Sequence, residues 1–102
     1  MTLREQQSKF VECVGKLISF AYASGYELTF GDTYPGLAKH KINGKHPEGL
    51  AIDLNLFRDG EYLEFTEDHA QLGAYWKSLD PECTWGGDFT NPDGNHYSYG
   101  ER

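Results

Sequence analysis

Two histidines and two aspartates have side chains that could bind a metal ion and activate water. They are His46, Asp53, Asp93 and His96. Zinc in a catalytic site takes three imidazole or carboxylate ligands and keeps a fourth position for water. His46, Asp53 and His96 could provide these ligands. Asp93, three residues before His96 on a glycine-containing turn, could then accept a proton from the catalytic water without binding the metal itself.

The spacing of these residues sets a condition on the fold. Seven residues of fully extended chain between His46 and Asp53 would span roughly 23 Å, too far for two ligands of one ion. The chain must therefore reverse between them, and residues 47–49, Pro-Glu-Gly, could make the turn. A second interpretation stays open, in which Asp53 is solvated on a half-exposed strand and the histidines lie on surface loops.

The first half of the sequence shows one helical pattern and several strand patterns. Apolar residues recur every three or four positions from Leu3 to about Gly25, which predicts an amphipathic helix. Alternation predicts strands over Tyr26–Phe30 and Leu50–Phe57, the second with Asp53 on its polar face. The Asp59-Gly60 pair is typical of a hairpin turn, so we expect residues 61–65 to return as a partner strand.

The second half adds another helix and a short final strand. Thr66 is a candidate N-cap for a helix that runs to about Leu79, Cys83 is expected in a loop, and His96–Tyr99 is predicted to be a strand. This order lacks the regular alternation of parallel crossover units. We therefore predict an α+β fold, in which a small antiparallel sheet packs with two main helices, and a single domain over residues 1–102.

Composition excludes several classes of partner. The net charge is −7 and the nine Lys and Arg residues are scattered, so nucleic acid is not an expected partner. No stretch has the apolar length of a signal peptide or a membrane span, and we expect synthesis in the cytoplasm without membrane insertion. Cys13 and Cys83 do not form a Cys-x-x-Cys pair and are expected to be free thiols.

Three segments around the candidate residues resemble the motifs of a known family. They are His46-Pro-Glu-Gly-Leu-Ala-Ile-Asp53, Trp85-Gly-Gly-Asp-Phe89 and Asp93-Gly-Asn-His96-Tyr97. The family is that of the D-alanyl-D-alanine carboxypeptidases and L-alanyl-D-glutamate endopeptidases, which are zinc peptidases, and the similarity is closest to its short phage and prophage branch. It extends from about Thr2 to Tyr99.

This resemblance implies a hedgehog/DD-peptidase fold and a role for each candidate residue. His46, Asp53 and His96 match the zinc ligands, and Asp93 matches the catalytic acid/base. Trp85 and the two glycines after it match a segment near the active site, although a core aromatic followed by a turn explains them equally well. His40 and His69 have no counterpart in the motifs, and we interpret both as structural or solvated residues.

The resemblance also implies a substrate, the peptide stems of the bacterial cell wall. The first expectation is an endolysin-like L-alanyl-D-glutamate endopeptidase that reaches the host cell wall or periplasm through a separately made membrane lesion. A carboxypeptidase that removes terminal D-alanine is the alternative within the family. A non-catalytic binding module stabilised by zinc is the alternative outside it. The oligomeric state stays open.

Two positions depart from the family pattern. An arginine that commonly helps to hold the substrate is replaced by Pro35, and a serine that commonly precedes the first zinc-binding histidine by two residues is replaced by Gly44. Both changes bear on substrate affinity and rate more than on metal binding. Lys39 or Lys45 could supply the missing positive charge, although solvated lysines are common in such loops.

Overall fold

The computed structural model describes residues 1–31 and 48–100. Within these ranges the chain forms two α-helices, two short 3-10 helices and five strands. The elements are α1 (Leu3–Ala23), β1 (Glu27–Phe30), β2 (Ala51–Arg58), β3 (Glu61–Leu63), a 3-10 helix (Thr66–His69), α2 (Ala70–Leu79), β4 (Cys83–Trp85), a second 3-10 helix (Gly86–Asp88) and β5 (His96–Tyr99).

The strands form one antiparallel sheet in the order β1-β2-β5-β4, with β3 paired to β2. β2 is the longest strand, and it contacts β1 along one edge and both β5 and β3 along the other. β5 pairs with the first half of β2 and β3 with the second half. The predicted α+β architecture, with a small antiparallel sheet and two main helices, is confirmed.

Helix α1 begins and ends on signals that are visible in the sequence. Thr2 and Glu5 form a capping box, in which the Glu5 backbone N–H donates to Thr2 Oγ1 at 3.1 Å and the Thr2 N–H donates to Glu5 Oε1 at 2.8 Å. Hydrogen bonding of the Glu5 carboxylate, first to the Thr2 backbone N–H and then to the Thr2 side chain, holds the pKa of Glu5 below its usual value. At the other end Gly25 has a φ of 89°, a conformation that glycine adopts without strain.

The core lies between the helices and one face of the sheet. Leu17 and Ala21 from α1 and Leu54 and Leu56 from β2 are almost fully buried, and each buried leucine contributes about 1.5–3 kcal/mol relative to exposure. The opposite face of β2 carries Ala51, Asp53, Asn55 and Phe57. In the described part of the chain, no helix is long and apolar enough to cross a membrane.

Trp76 of α2 ties this helix to the sheet. Its ring makes edge contacts with Phe10 and with Tyr97, each with a centroid separation of 5.9 Å. Its indole N–H donates to the carbonyl oxygens of Thr84 at 3.0 Å and Ser98 at 3.2 Å. Since Trp76 is fully buried, these hydrogen bonds remove the cost of burying its polar nitrogen.

The prediction that Thr66 caps the second helix is wrong. A 3-10 helix begins at Thr66, and Phe65 occupies the N-cap position. The Phe65 backbone N–H donates to Asp68 Oδ2 at 3.0 Å, so a carboxylate within the first turn satisfies a donor at the start of the helix. The α-helix itself begins only at Ala70.

The expectation that Cys83 lies in a loop is also wrong. Cys83–Trp85 forms β4 and pairs with β5. A strand of three residues is too short for an alternating pattern to stand out in the sequence, and its pairing with β5 makes it a strand. Cys13 and Cys83 are free, buried thiols, and burial, followed by the influence of neighbouring Cys13, raises the pKa of Cys83.

His69 is a buried structural residue, as one of the two interpretations anticipated. Its Nδ1 atom lies 2.9 Å from the hydroxyl of Tyr97, which is itself fully buried. Burial lowers the pKa of His69, against the opposing effect of the Asp68 carboxylate.

This lowered pKa predicts a pH-dependent stability. As the pH falls, the unfolded chain, with a histidine pKa of about 6.5, binds a proton at a higher pH than the folded chain does. The contribution of His69 to stability is therefore complete above about pH 6.5 and declines as the pH falls below it. We expect His69→Gln to flatten the loss of unfolding free energy between about pH 7 and 5, measured by urea unfolding of metal-free protein. Parallel curves for the two proteins would contradict this.

Gly73 of α2 predicts a second stability effect. A Cβ atom at this position would overlap the indole of Trp85, so Gly73→Ala should destabilise the fold by about 1–3 kcal/mol through overpacking. Gly15 of α1 is the matched control, because a Cβ there would meet nothing within 4 Å. Gly15→Ala should stabilise the helix by about 0.5–1 kcal/mol. Equal effects in thermal unfolding would show that crowding at Trp85 does not matter.

Candidate metal centre

Asp53 and His96 are direct partners across the junction of β2 and β5. Side chains of directly opposite residues project from the same face of a sheet, here the face that points away from the core. Asp53 Oδ1 lies 3.6 Å from His96 Nδ1, and the two side chains are only 18% and 9% exposed. This separation is longer than a good N–H···O hydrogen bond and suits two ligand atoms that face one ion.

Asp93 reaches the same point from the turn that precedes β5. The turn is held by two backbone hydrogen bonds, from the Asp93 N–H to the Gly86 carbonyl at 2.9 Å and from the His96 N–H to the Asp93 carbonyl at 3.1 Å. One ligand atom each from Asp53, Asp93 and His96 lies within 4.8 Å of the others. Asp93 is exposed and His96 is buried, so the cluster has an open side and a closed side.

Two glycines allow the backbone segments around the cluster to come close together. The N–H of Gly31 donates to the carbonyl of Asp53 at 2.8 Å, and a Cβ at Gly31 would lie 2.9 Å from Asp53 Cβ. A Cβ at Gly86 would lie 2.7 Å from His96 Cβ and would overlap the carbonyl of Asp93. The close approach of these chain segments therefore depends on the absence of a side chain at Gly31 and at Gly86.

Trp85 combines the two interpretations that the sequence left open. Its ring is buried against α2, and its indole N–H donates to the Gly94 carbonyl at 2.8 Å. Gly94 lies between Asp93 and His96, so this core residue also fixes the turn that carries both. Trp85 is thus a positioning residue, and nothing in its geometry assigns it to the chemistry.

Phe89 is a site residue that the sequence analysis missed. Its ring lies 5.3 Å from the imidazole of His96, centroid to centroid, at an angle of 52°. This contact restricts the orientation of the His96 ring. Its place at the end of the Trp85–Phe89 motif was the available signal, because a single aromatic in a turn has no periodicity.

The side chains present fit a divalent metal such as zinc. Two carboxylates and one imidazole are donors that zinc accepts, and tetrahedral coordination at about 2.1 Å implies ligand atoms about 3.4 Å apart. The 3.6 Å between Asp53 and His96 agrees with this value. His46, predicted to be a third ligand, lies outside the described residues, as do Lys39, Lys45, Pro35 and Gly44.

Comparison with known proteins identifies the family of the chain. A family model described as D-alanyl-D-alanine carboxypeptidase matches residues 38–99, more than half of the chain. The chain belongs to this peptidase family. The matched range includes all four predicted site residues, and family membership confirms the resemblance inferred from the motifs.

A solved structure supports the fold of this family member. The chain is similar to the crystal structure of the L-Ala D-Glu endopeptidase ChiX of Serratia marcescens, with a TM-score of 0.73 and 17% sequence identity. The similarity covers 95% of this chain and 82% of that chain. At this identity the likeness establishes the fold alone. No curated protein sequence matches the chain.

Substitution of Gly86 tests whether metal binding depends on the turn that carries Asp93 and His96. Gly86→Ala would move the Asp93–His96 segment away from Asp53, because the new methyl group needs the space of the Asp93 carbonyl. We expect zinc affinity to fall by about 10–100-fold, as for other changes to groups that orient ligands. Titration with zinc against a chromophoric chelator measures this, and Gly15→Ala is the control. Unchanged affinity in a folded Gly86→Ala protein would contradict the prediction.

Proposed function

We propose that this family member is a zinc peptidase that hydrolyses an amide bond in peptidoglycan stem peptides, between L-alanine and D-glutamate. The observation that carries the proposal is the meeting of Asp53, Asp93 and His96 within 4.8 Å on a partly open face of the sheet. Membership of a peptidase family supports the hydrolytic reading. The likeness in fold to an L-Ala D-Glu endopeptidase supports the choice of bond.

Three residues would hold the metal. Asp53 and His96 supply two ligand atoms from adjacent strands, and His46, which precedes β2, is proposed as the third from its sequence motif. Zinc held in this way supplies a Lewis acid for the scissile carbonyl and lowers the pKa of water to about 7. His96 is buried and contacts Phe89, so its imidazole is held in one orientation.

Asp93 is proposed as the general base and acid. Its carboxylate is exposed and lies close to the ligand atoms of Asp53 and His96, where it can take a proton from the attacking water. The same group would then donate this proton to the nitrogen of the leaving amine, which completes cleavage of the amide bond. Since the turn fixes its backbone through Gly86, the carboxylate stays close to the reacting atoms.

The carboxypeptidase activity is the second candidate, because the matching family model carries that description. Removal of a terminal D-alanine requires a cationic group for the free carboxylate of the substrate. In the segments of the chain that are described, Lys77 is a basic residue beside the turn, and it already contacts Asp88 at 2.8 Å and the Trp85 ring. Lys39 and Lys45 lie outside the described residues, so the preference for the endopeptidase rests on Pro35, which stands where the family pattern has an arginine.

We propose the bacterial cell wall as the place where the protein acts, as expected of an endolysin. A non-catalytic module that only binds the wall would have no use for an exposed carboxylate beside the metal ligands. The position of Asp93 therefore favours catalysis over binding alone.

Digestion of purified peptidoglycan tests the proposal. Zinc-loaded protein should release fragments with new D-glutamate amino termini, identified by mass spectrometry. Asp93→Asn keeps the size of the side chain and removes its basicity, so we expect at least about 100-fold slower cleavage. The variant should retain its zinc, which elemental analysis of the folded protein would verify.

The other outcomes point to other functions. Loss of terminal D-alanine alone would establish the carboxypeptidase. Undiminished cleavage by Asp93→Asn would remove this residue from the mechanism. A folded protein that binds one zinc and leaves every bond intact would contradict the peptidase and favour the binding module.

A further inference from the structure

The face of the sheet that carries the metal site continues away from it along β2. Residues at every second position share a face, so Asn55 and Phe57 project on the same side as Asp53. Thr29 of β1 is the direct partner of Asn55, and Tyr62 of β3 is the direct partner of Phe57. We call these four residues, Thr29, Asn55, Phe57 and Tyr62, the distal strip.

The near half of the distal strip is polar and uncharged. Asn55 is half-buried, and its side-chain N–H donates to Thr29 Oγ1 at 3.3 Å. Two residues of strand separate Asn55 from Asp53, or about 7 Å. This pair offers hydrogen-bonding groups to a neutral part of a substrate that lies beside the site.

The far half is aromatic. The rings of Phe57 and Tyr62 lie 5.4 Å apart at an angle of 46°, and Tyr62 is 53% exposed. They project from the face opposite to the core, so burial in the core does not explain them. Four residues of strand, or about 13 Å, separate Phe57 from Asp53.

Charge around the aromatic pair limits what it can bind. Glu27 is the β1 partner of Phe57, and Asp59 and Glu61 follow at the hairpin; all three are exposed. Among the described residues, the nearby Arg58 is directed to the carbonyl of Ser24 at 2.7 Å and to the ring of Tyr26. This surface therefore repels carboxylates, whereas aromatic rings beside carboxylate acceptors suit a neutral ring that bears hydroxyl groups.

We propose that the aromatic pair binds an N-acetylated sugar of the glycan strand to which the stem peptide is attached. This inference rests on the proposed function and extends it. In peptidoglycan the L-alanine is joined to the sugar through one lactyl group, so sugars begin about one residue beyond the bond between L-alanine and D-glutamate. Asn55 and Thr29 then face the L-alanine and lactyl segment, and the aromatic pair contacts the saccharide.

The same geometry bears on the choice of bond. The terminal D-alanyl-D-alanine bond lies three residues farther from the sugar, which adds about 10 Å of extended peptide. A carboxypeptidase bound in the same direction would present amino acids, and no sugar, to the aromatic pair. Contact between Tyr62 and the saccharide is therefore specific to cleavage near the glycan.

Two matched substrates test the inference. One is a disaccharide stem peptide, and the other is the same stem peptide with an acetyl group in place of the sugars. Tyr62→Ser should lower kcat/KM for the disaccharide substrate by about three- to tenfold, through KM, and should change the acetylated peptide less than twofold. Tyr62→Phe keeps the aromatic ring and should retain the higher kcat/KM for the disaccharide substrate.

The control variant is Val11→Ser, which removes another exposed apolar side chain, 66% exposed on α1, and should leave both substrates unaffected. An equal loss on both substrates with Tyr62→Ser would overturn the inference and indicate that the pair contacts the peptide. Equal kcat/KM of the unaltered protein on both substrates would also overturn it.

A binding measurement separates this inference from the proposed function. The disaccharide without peptide is titrated into the ¹⁵N-labelled protein, and we expect chemical-shift changes centred on Phe57 and Tyr62 that Tyr62→Ser abolishes. If neither substrate is cleaved but these shifts appear, the peptidase proposal fails and the sugar site stands. If cleavage occurs and no shifts appear at these residues up to millimolar disaccharide, the sugar site is wrong.

Discussion

The antiparallel pairing of β2 with β5 is the interaction on which the site depends. It joins Asp53 to His96 as direct partners, although they are far apart in the sequence. A shift of the register by one residue would turn every side chain of one strand to the opposite face. The His96 side chain would then point towards the helices, and Tyr97 would take its place beside Asp53. The geometry of the candidate metal site therefore depends on the register between β2 and β5.

The core fixes this register from the other side of the sheet. Tyr97, whose side chain projects from the face of β5 opposite to His96 and Ser98, is fully buried against Trp76 and bonded to His69. Leu54 and Leu56 do the same for β2. Burying large residues at alternate positions makes a slipped pairing costly, because it would bring charged groups into the apolar layer. Packing on one face thus determines chemistry on the other.

Much of the fold could be predicted from the sequence, because its longer elements have clear periods. α1 and β2 follow from apolar residues at helical and alternating spacing, and the hairpin follows from Asp59-Gly60. β4 could not be predicted, since three residues carry no period and its strand state comes from pairing with β5. The N-cap at Phe65 was missed because its side chain makes no capping hydrogen bond, and the Asp68 carboxylate accepts from its backbone N–H instead.

The candidate site was partly predictable for a different reason. The types of Asp53, Asp93 and His96 indicated metal chemistry, and the family motifs indicated their roles, whereas their meeting in space depends on long-range pairing. The contributions of Phe89 and Gly86 come from close approach between separate segments. Such contacts leave no trace in local spacing, so only the folded chain reveals them.

The distance in sequence between Asp53 and His96 has a thermodynamic consequence. A ligand bound to both side chains closes the long loop between them and acts as a reversible cross-link of the two central strands. Because the unfolded chain does not hold these groups together, binding and folding share one equilibrium. A metal ion bound there would therefore stabilise the pairing of the two central strands, and its removal by a chelator would lower the free energy of unfolding.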